Sequence, residues 1–343
     1  MKENNSTAEN SRPNQHSRHT HSHTKSRKKR RRSSSSGRPS GHVIFVIVFS
    51  IILVVTIVRL FLWNRGRQSD YDPNETTTEF DVEVMDYLQP LDPEMLEGHE
   101  DDGVTTVLAL GNDLLSDDRS DTGLAALMEK SANATILNAA FPGSSISMKH
   151  QEFDNSYPLD GLSLYWVAAA LLNQNFDLMD VIVPQMNSEA AAQALDTLKS
   201  VDLSKVDDLV ILYDLQDYRD DRTVYEANDK NLTTVYGALT ATIKLFQEQC
   251  PHIRIYLLSQ PYGTFTDANG KTIDIDRDDL GNGTMVDYLN WEVEACRKNG
   301  VSFIDNYYGA ITMEDTDCLT EGYHLNQKGR EKIAERFGKV FKQ

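Results

Sequence analysis

The chain has 343 residues, of which 40% are hydrophobic and 25% charged, and this composition excludes disorder over the whole length. The formal net charge is −18, but the charge is unevenly spread. Residues 1–67 hold 14 Lys and Arg against 2 Asp and Glu, which leaves 20 against 50 in residues 68–343. Such an acidic body argues against nucleic acid as a partner, because phosphate binding requires a basic face.

An apolar run separates the two charge regimes. Residues 43–63 contain a single charged side chain, Arg59, near the end of the run, and Trp63 closes it as an interfacial aromatic residue would. At about 1.5 Å per residue the run extends roughly 31 Å, enough to cross the hydrocarbon core of a bilayer. The leader before it is too long for a typical cleaved signal peptide, and no small-x-small cleavage site follows. The sequence therefore predicts an uncleaved transmembrane helix over 42–63.

Charge also predicts the orientation of this helix. Seven of the eight residues 25–32 are Lys or Arg, whereas Arg65 and Arg67 on the far side are soon followed by acidic residues. The excess of positive charge is expected to stay in the cytoplasm and to lie near anionic lipid. We therefore expect a disordered cytoplasmic tail over 1–41, an acidic stalk over 64–103 and an extracytoplasmic domain over 104–343, in a single-pass protein of the cell membrane.

The body alternates short apolar runs with helical patterns. Such runs are typical of strands that are buried on both faces of a parallel sheet. This alternation predicts an α/β fold, a three-layer α/β/α sandwich of flavodoxin-like type around a central, mostly parallel five-stranded sheet. The predicted strands are 104–110, 134–140, 208–214, 253–259 and 301–305, and the predicted helices are 121–131, 160–173, 188–199, 231–249, 285–299 and 326–341.

Ligands of such sheets bind beyond the carboxyl ends of the strands. This rule selects four polar loops of the sequence, namely 111–118, 141–145, 214–217 and 321–326. A further polar insertion, 263–283, follows the fourth strand on the same side and is either a lid or a surface hairpin.

The segments VLALGNDLLS, NAAFPGSS, ILYDLQDY and EGYHLNQKGREKIAERF, in this order and spacing, resemble the SGNH (GDSL-type) hydrolase family across 104–341. This resemblance implies a serine nucleophile after the first strand, oxyanion donors after the second and third strands, and a histidine base with an acidic partner before the last helix. Carried over position by position, these roles fall on Asp113 (nucleophile), Gly143 and Gln216 (oxyanion donors), His324 (base) and Glu321 (orienting acid). Asp217, in the segment ILYDLQDY, matches an aspartate of the family pattern.

The nucleophile position departs from the family pattern, because Asp113 replaces the serine. A carboxylate cannot be activated by a histidine base as a hydroxyl is, and its charge opposes the developing oxyanion. We expect it instead to pair with a protonated His324. Ser116 is the only nearby hydroxyl of that loop, and it could serve only after the loop rearranged.

Three functions remain open from the sequence. The first is an ester hydrolase that acts on acylated cell-envelope glycan or lipid through an altered site, and the second is a catalytically silent domain that binds a surface glycan or a protein. Neither of these two functions requires a metal or another cofactor. The three cysteines, Cys250, Cys296 and Cys318, have the spacing of neither a metal motif nor a disulfide framework. The third is a metal-dependent hydrolase with hard oxygen ligands, drawn from Asp113, Asp117, Asp118, Asp214, Asp217 and His324.

Overall fold

The computed structural model describes residues 45–47, 49–56, 59, 84–96, 99 and 102–342. The chain divides into two compact units, Met1–Glu79 and Phe80–Gln343. In the first unit the described residues are helical and exposed. None of the helices formed by the described residues combines the length and apolar character needed to span a bilayer. The predicted tail 1–41, parts of the predicted membrane helix 42–63 and much of the predicted stalk lie outside the described residues.

The second unit is built around a parallel sheet of five strands in the order β2-β1-β3-β4-β7. All five predicted strands form this sheet, so the predicted parallel architecture is confirmed. Two short antiparallel hairpins, β5-β6 and β8-β9, lie outside it. The strands are β1 Thr106–Gly111, β2 Thr135–Asn138, β3 Asp208–Leu212, β4 Arg254–Leu258, β5 Thr264–Thr266, β6 Thr272–Asp274, β7 Ser302–Ile304, β8 Leu319–Thr320 and β9 His324–Leu325.

The α-helices of this unit are α1 Asp113–Ser116, α2 Leu124–Ala132, α3 Leu164–Leu172, α4 Asp177–Ile182, α5 Glu189–Ser200, α6 Gln216–Arg219, α7 Val235–Gln249, α8 Met285–Asn299, α9 Asn306–Gly309 and α10 Gln327–Phe341. The six predicted helices are all present as α2, α3, α5, α7, α8 and α10, and the short helices between them were not predicted. Side-chain caps fix several starts: Ser188, Thr234 and Asn326 each accept a backbone N–H from the first turn of the helix that follows.

Alternate side chains of each strand enter separate cores on the two faces of the sheet. Leu108 and Leu110 of β1 pack with α3, α5, α7 and α8, whereas Val107 and Ala109 pack with α2 and α10. All four side chains are fully buried, as the period of two in a strand requires when both faces are covered. The unit is therefore a three-layer α/β/α sandwich, as predicted.

Residues 84–90, here called the strap, cover the outer edge of β7. Tyr87 and Phe303 exchange two backbone hydrogen bonds of 3.0 and 2.7 Å in an antiparallel bridge. Asp86 pairs with Arg336 of α10 at 2.6 Å, and the Arg254 side chain donates to the Gln89 carbonyl at 3.0 Å. The strap belongs to the segment predicted as a stalk over 64–103. The folded unit therefore begins before residue 104, because this backbone pairs with the edge that β7 would otherwise leave open.

Candidate functional site

The crevice where ligands are expected lies between β1 and β3. The chain leaves β1 to form β2 on one side and then returns to form β3 on the other, so the strand order reverses between these two strands. Gly111 ends β1 so close to β3 that an added Cβ would lie 2.0 Å from the Leu212 carbonyl oxygen. Asn112 and Asp113 follow β1 directly, and Asp214 lies just beyond the end of β3.

Asn112 joins three of the loops that form the crevice. Its Nδ2 donates to Asp214 Oδ1 at 2.6 Å and to the Ser144 carbonyl at 2.9 Å, and its Oδ1 accepts the Asp214 backbone N–H at 2.8 Å. Both side chains are buried. Asn112 therefore holds the loops after β1, β2 and β3 together and is not itself exposed to a ligand.

Asp113 opens α1, and its carboxylate lies against the loop after β2. Its Oδ1 accepts the Gly143 backbone N–H at 3.0 Å, with Gly143 in the left-handed region at a φ of +68°. Burial and the nearby charge of Asp117 raise the pKa of Asp113, whereas the Gly143 N–H, His324 and Arg219 oppose that rise. The structure thus brings Asp113 and Gly143 together, and the Gly143 N–H, an oxyanion donor by the family resemblance, is engaged by the Asp113 carboxylate.

His324 has a different acidic partner from the one predicted. Its Nδ1 lies 2.7 Å from Asp117 Oδ2, and Asp117 caps the carboxyl end of α1, one helical turn after Asp113. Glu321 is exposed in the β8-β9 turn with a φ of +53°. Among the described residues it makes no hydrogen bond or ion pair with His324. The structure therefore pairs His324 with Asp117 and not with Glu321, because Asp117 follows α1, which contacts β9.

Asp113 and His324 are neighbours without a direct bond. The helix α1, which begins at Asp113, contacts the strand β9, to which His324 belongs, and His324 lowers the pKa of Asp113 through its charge. Both residues are described, and no hydrogen bond or ion pair joins them. The expected direct pair between Asp113 and protonated His324 is thus replaced by the pair between His324 and Asp117, with Asp113 beside it.

Gln216 and Asp217, the predicted site residues after β3, both form hydrogen bonds with other residues of the protein. The Gln216 amide donates to Asp220 Oδ1 at 3.0 Å, one turn further along α6, so the structure does not bring this predicted oxyanion donor to Gly143. Asp217 is buried and accepts the backbone N–H groups of Ile146 and Ser147 at 2.8 and 2.9 Å, as well as the Ser147 hydroxyl. Asp217 therefore secures the loop after β2 and does not face a ligand.

Two aromatic rings and a guanidinium group lie next to His324, and the sequence did not predict them. The Tyr323 ring lies 4.1 Å from the His324 ring, and the Arg219 guanidinium lies over Tyr323 at 4.6 Å and over Phe265 at 5.6 Å. Phe265 belongs to the β5-β6 hairpin within the 263–283 insertion. In this hairpin the Thr264 backbone N–H donates to the Gly322 carbonyl at 2.8 Å. Arg219 lies in α6, which is a single helical turn. A helix this short leaves no periodic pattern in a sequence, so the sequence did not indicate a role for Arg219.

No serine of the described crevice contacts His324. The Ser116 hydroxyl is buried without a hydrogen-bond partner among the described residues, and the Ser144 hydroxyl donates to the Phe141 carbonyl at 2.8 Å. Of the predicted metal ligands, Asp118 pairs with Arg330 at 3.0 Å, and Asp217 accepts hydrogen bonds from Ile146 and Ser147. In the part of the chain that the structure describes, no three His, Cys, Asp or Glu side chains are grouped to hold a metal ion. The predicted metal-ligand set is therefore not assembled.

No model of a known protein family matches the sequence, and no curated protein matches it. Solved structures do match. One is 17% identical, with a TM-score of 0.50 over 70% of this chain and 96% of that chain. A possible lipase from Chitinophaga pinensis is 15% identical (TM-score 0.44, 69% and 98% covered), and a carbohydrate acetylesterase family member from Sinorhizobium meliloti is 13% identical (TM-score 0.39, 70% and 98% covered). The first shows a shared fold, and the two with TM-scores below 0.5 add no weight to it.

Proposed function

We propose that this chain is a single-pass membrane protein whose extracytoplasmic domain is an SGNH-type hydrolase acting on acylated cell-envelope glycan or lipid. The membrane part of the proposal is supported by the apolar run 43–63 and by the basic residues before it. The hydrolase part is supported by the position of the polar cluster, which lies at the crevice where the strand order reverses.

The observation that carries the hydrolase proposal is the pair between His324 and Asp117, whose atoms are 2.7 Å apart. A carboxylate on Nδ1 orients the imidazole and stabilises its positive charge, so that Nε2 is available for proton transfer. A serine acyl-enzyme is not part of the proposal, because Asp113 occupies the nucleophile position and no described serine hydroxyl bonds His324.

The test is acyl-ester hydrolysis by the full-length chain in detergent micelles. Aryl acetates and an acetylated glycan are suitable substrates, with acetate release as the readout. We expect turnover that survives a chelator, is abolished in His324→Ala and is reduced in Asp117→Asn. Complete inactivity of the folded wild-type chain on all these esters would contradict the proposal, and loss of turnover on chelation would favour the metal-dependent alternative.

A second candidate is a catalytically silent domain that binds a surface glycan or a protein. It is favoured by the hydrogen bond of 3.0 Å from the Gly143 N–H to Asp113, because this donor is not free for an oxyanion. Calorimetric titration of the full-length chain with acetylated and deacetylated glycan discriminates the candidates. Saturable binding of intact acetylated glycan without acetate release supports the silent domain, whereas acetate release supports the hydrolase.

A further inference from the structure

We propose that Asp113 is the catalytic base of the site and activates a water molecule that attacks the ester carbonyl directly, with His324 as the acid for the leaving alcohol. This inference rests on the proposed hydrolase function and specifies how the altered site would work. It makes the replacement of serine by aspartate a change of mechanism rather than a loss of activity.

The geometry of the Asp113 carboxylate suits a base. Its Oδ1 is fixed by the Gly143 N–H at 3.0 Å, whereas its Oδ2 accepts no hydrogen bond from any described residue. The side chain is half-buried, so water can reach it while one oxygen remains anchored. A carboxylate held by one oxygen presents the other in a fixed direction, which is the positioning that proton abstraction requires.

The surroundings strengthen that base. Burial and the charge of Asp117 both raise the pKa of Asp113, and a carboxylate with a higher proton affinity removes a proton from water more readily. The Arg219 guanidinium lies 4.6 Å from the Tyr323 ring, which in turn lies 4.1 Å from the His324 ring, and a positive charge on this side of the crevice favours an oxyanion.

The proposed step balances without any further reactant. One proton of the water passes to Asp113 Oδ2 while the water oxygen bonds to the carbonyl carbon, and the carbonyl π electrons move to oxygen. When the tetrahedral adduct collapses, the bond from carbon to the alcohol oxygen breaks. The leaving oxygen takes the proton from His324 Nε2, whose ring is held through Nδ1 by Asp117. The acid and the alcohol depart, and transfer of the proton from Asp113 to His324 through solvent restores the starting state.

The alternative is that Asp113 attacks the carbonyl itself. It would then form a mixed anhydride, and water would later release Asp113 with a solvent oxygen in its carboxylate whenever it attacks the aspartyl carbonyl. The direct route never changes the oxygens of Asp113. Label in Asp113 therefore identifies attack of water on the aspartyl carbonyl of an anhydride, and an acyl-enzyme trapped by hydroxylamine identifies an anhydride that water opens at the acetyl carbonyl.

The experiment is a multiple-turnover reaction of the full-length chain with an aryl acetate in water labelled with ¹⁸O, followed by mass spectrometry of the acetate and of the peptide that contains Asp113. We expect the label in the acetate alone, and no acyl-enzyme trapped by hydroxylamine. Asp113→Asn should lower kcat by about 10²- to 10⁴-fold, and Asp113→Glu should recover part of the rate. Asp121→Asn, an exposed position in the following loop, is the matched control and should retain wild-type turnover.

Failure of this inference and failure of the proposed function give different results. Label in the Asp113 peptide, a trapped acyl-enzyme, or full activity of folded Asp113→Asn would overturn the role of Asp113 while leaving the chain a hydrolase. Absence of any turnover by the wild-type chain would overturn the hydrolase proposal itself. Circular dichroism of each variant establishes that it is folded before its rate is interpreted.

Discussion

Asp214 is a buried ionisable residue of the crevice, and its protonation should affect the stability of the domain. It lies at the carboxyl end of β3, its Oδ2 is buried without a hydrogen-bond partner among the described residues, and burial raises its pKa to about 7. The folded chain therefore holds a proton there between about pH 4 and 7 that the unfolded chain has lost. Stability should consequently fall as the pH rises through this window and level off above it.

We expect Asp214→Asn to make this pH dependence shallower. An asparagine has the shape of the protonated aspartate and keeps an oxygen for the Asn112 amide, but it cannot ionise. The measurement is the Tm of both chains from pH 4.5 to 8.5, with Asp121→Asn as an exposed control. Equal pH profiles for wild type and Asp214→Asn would show that Asp214 is already ionised in the folded chain at the lower end of this range.

Asp113→Ser tests whether the crevice accepts acyl transfer to a serine. The substitution removes the acceptor of the Gly143 N–H and places a hydroxyl at the start of α1, which contacts the strand that carries His324. Acyl transfer to serine should then become available. We expect slower hydrolysis than in the wild type, but an acyl-enzyme that hydroxylamine or mass spectrometry detects. Adding Gln216→Asn should change little, because that amide bonds Asp220 and not the crevice. A double variant that is much faster than Asp113→Ser would contradict this placement.

At the scale of the elements, the long ones were predictable and the short ones were not. Strands buried on both faces give continuous apolar runs, and helices of two or more turns give a periodic pattern, so the sheet and its main helices follow from sequence. A helix of four residues such as α1 or α6 has no such period. These two turns direct Asp117 to His324 and the Gln216 amide to Asp220. The sequence therefore located the crevice, and the roles of residues within it depended on elements too short to predict.

The strap should stabilise the folded unit. Each backbone or side-chain hydrogen bond that it makes with β7, Arg254 and Arg336 contributes about 1 kcal/mol, and the strap also covers the edge of the sheet. A chain that begins at residue 104 should melt at a lower temperature than one that begins at residue 80, and it should aggregate through the exposed edge of β7. Thermal melts and light scattering of the two chains provide the comparison.

Asp86→Ala, made in the chain that begins at residue 80, separates the contribution of a strap side chain to stability from that of the strap backbone. It removes the pair with Arg336, which should contribute no more than about 1 kcal/mol, and the hydrogen bond of 2.9 Å that Asp86 accepts from the Asp305 backbone N–H, which contributes about 1 kcal/mol more. It leaves the bridge between Tyr87 and Phe303 intact. Its effect on Tm should therefore be much smaller than that of removing the strap. Equal stability of the chains that begin at 80 and 104 would contradict a stabilising role for the strap.

At the scale of the whole molecule, the distribution of charge carries the proposed topology. Residues 1–67 have a net charge of +12 and residues 68–343 a net charge of −30, and the apolar run 43–63 lies at the end of the basic part. Basic residues close to an apolar segment resist translocation, whereas acidic ones have little influence on orientation. The basic cluster 25–32 should therefore remain in the cytoplasm, which directs everything after residue 63 to the opposite side.

Protease added to intact cells or spheroplasts tests this topology. We expect it to degrade the domain formed by residues 104–341 and to leave a membrane-bound fragment that contains the N-terminus. An epitope at the N-terminus should stay protected until the membrane is permeabilised, and a cytoplasmic marker protein should remain intact throughout. Replacing the seven basic residues of 25–32 with Gln removes most of the charge difference across the apolar run, so part of the population should then invert. Complete protection of the wild-type domain in intact spheroplasts would place it in the cytoplasm and contradict the charge argument.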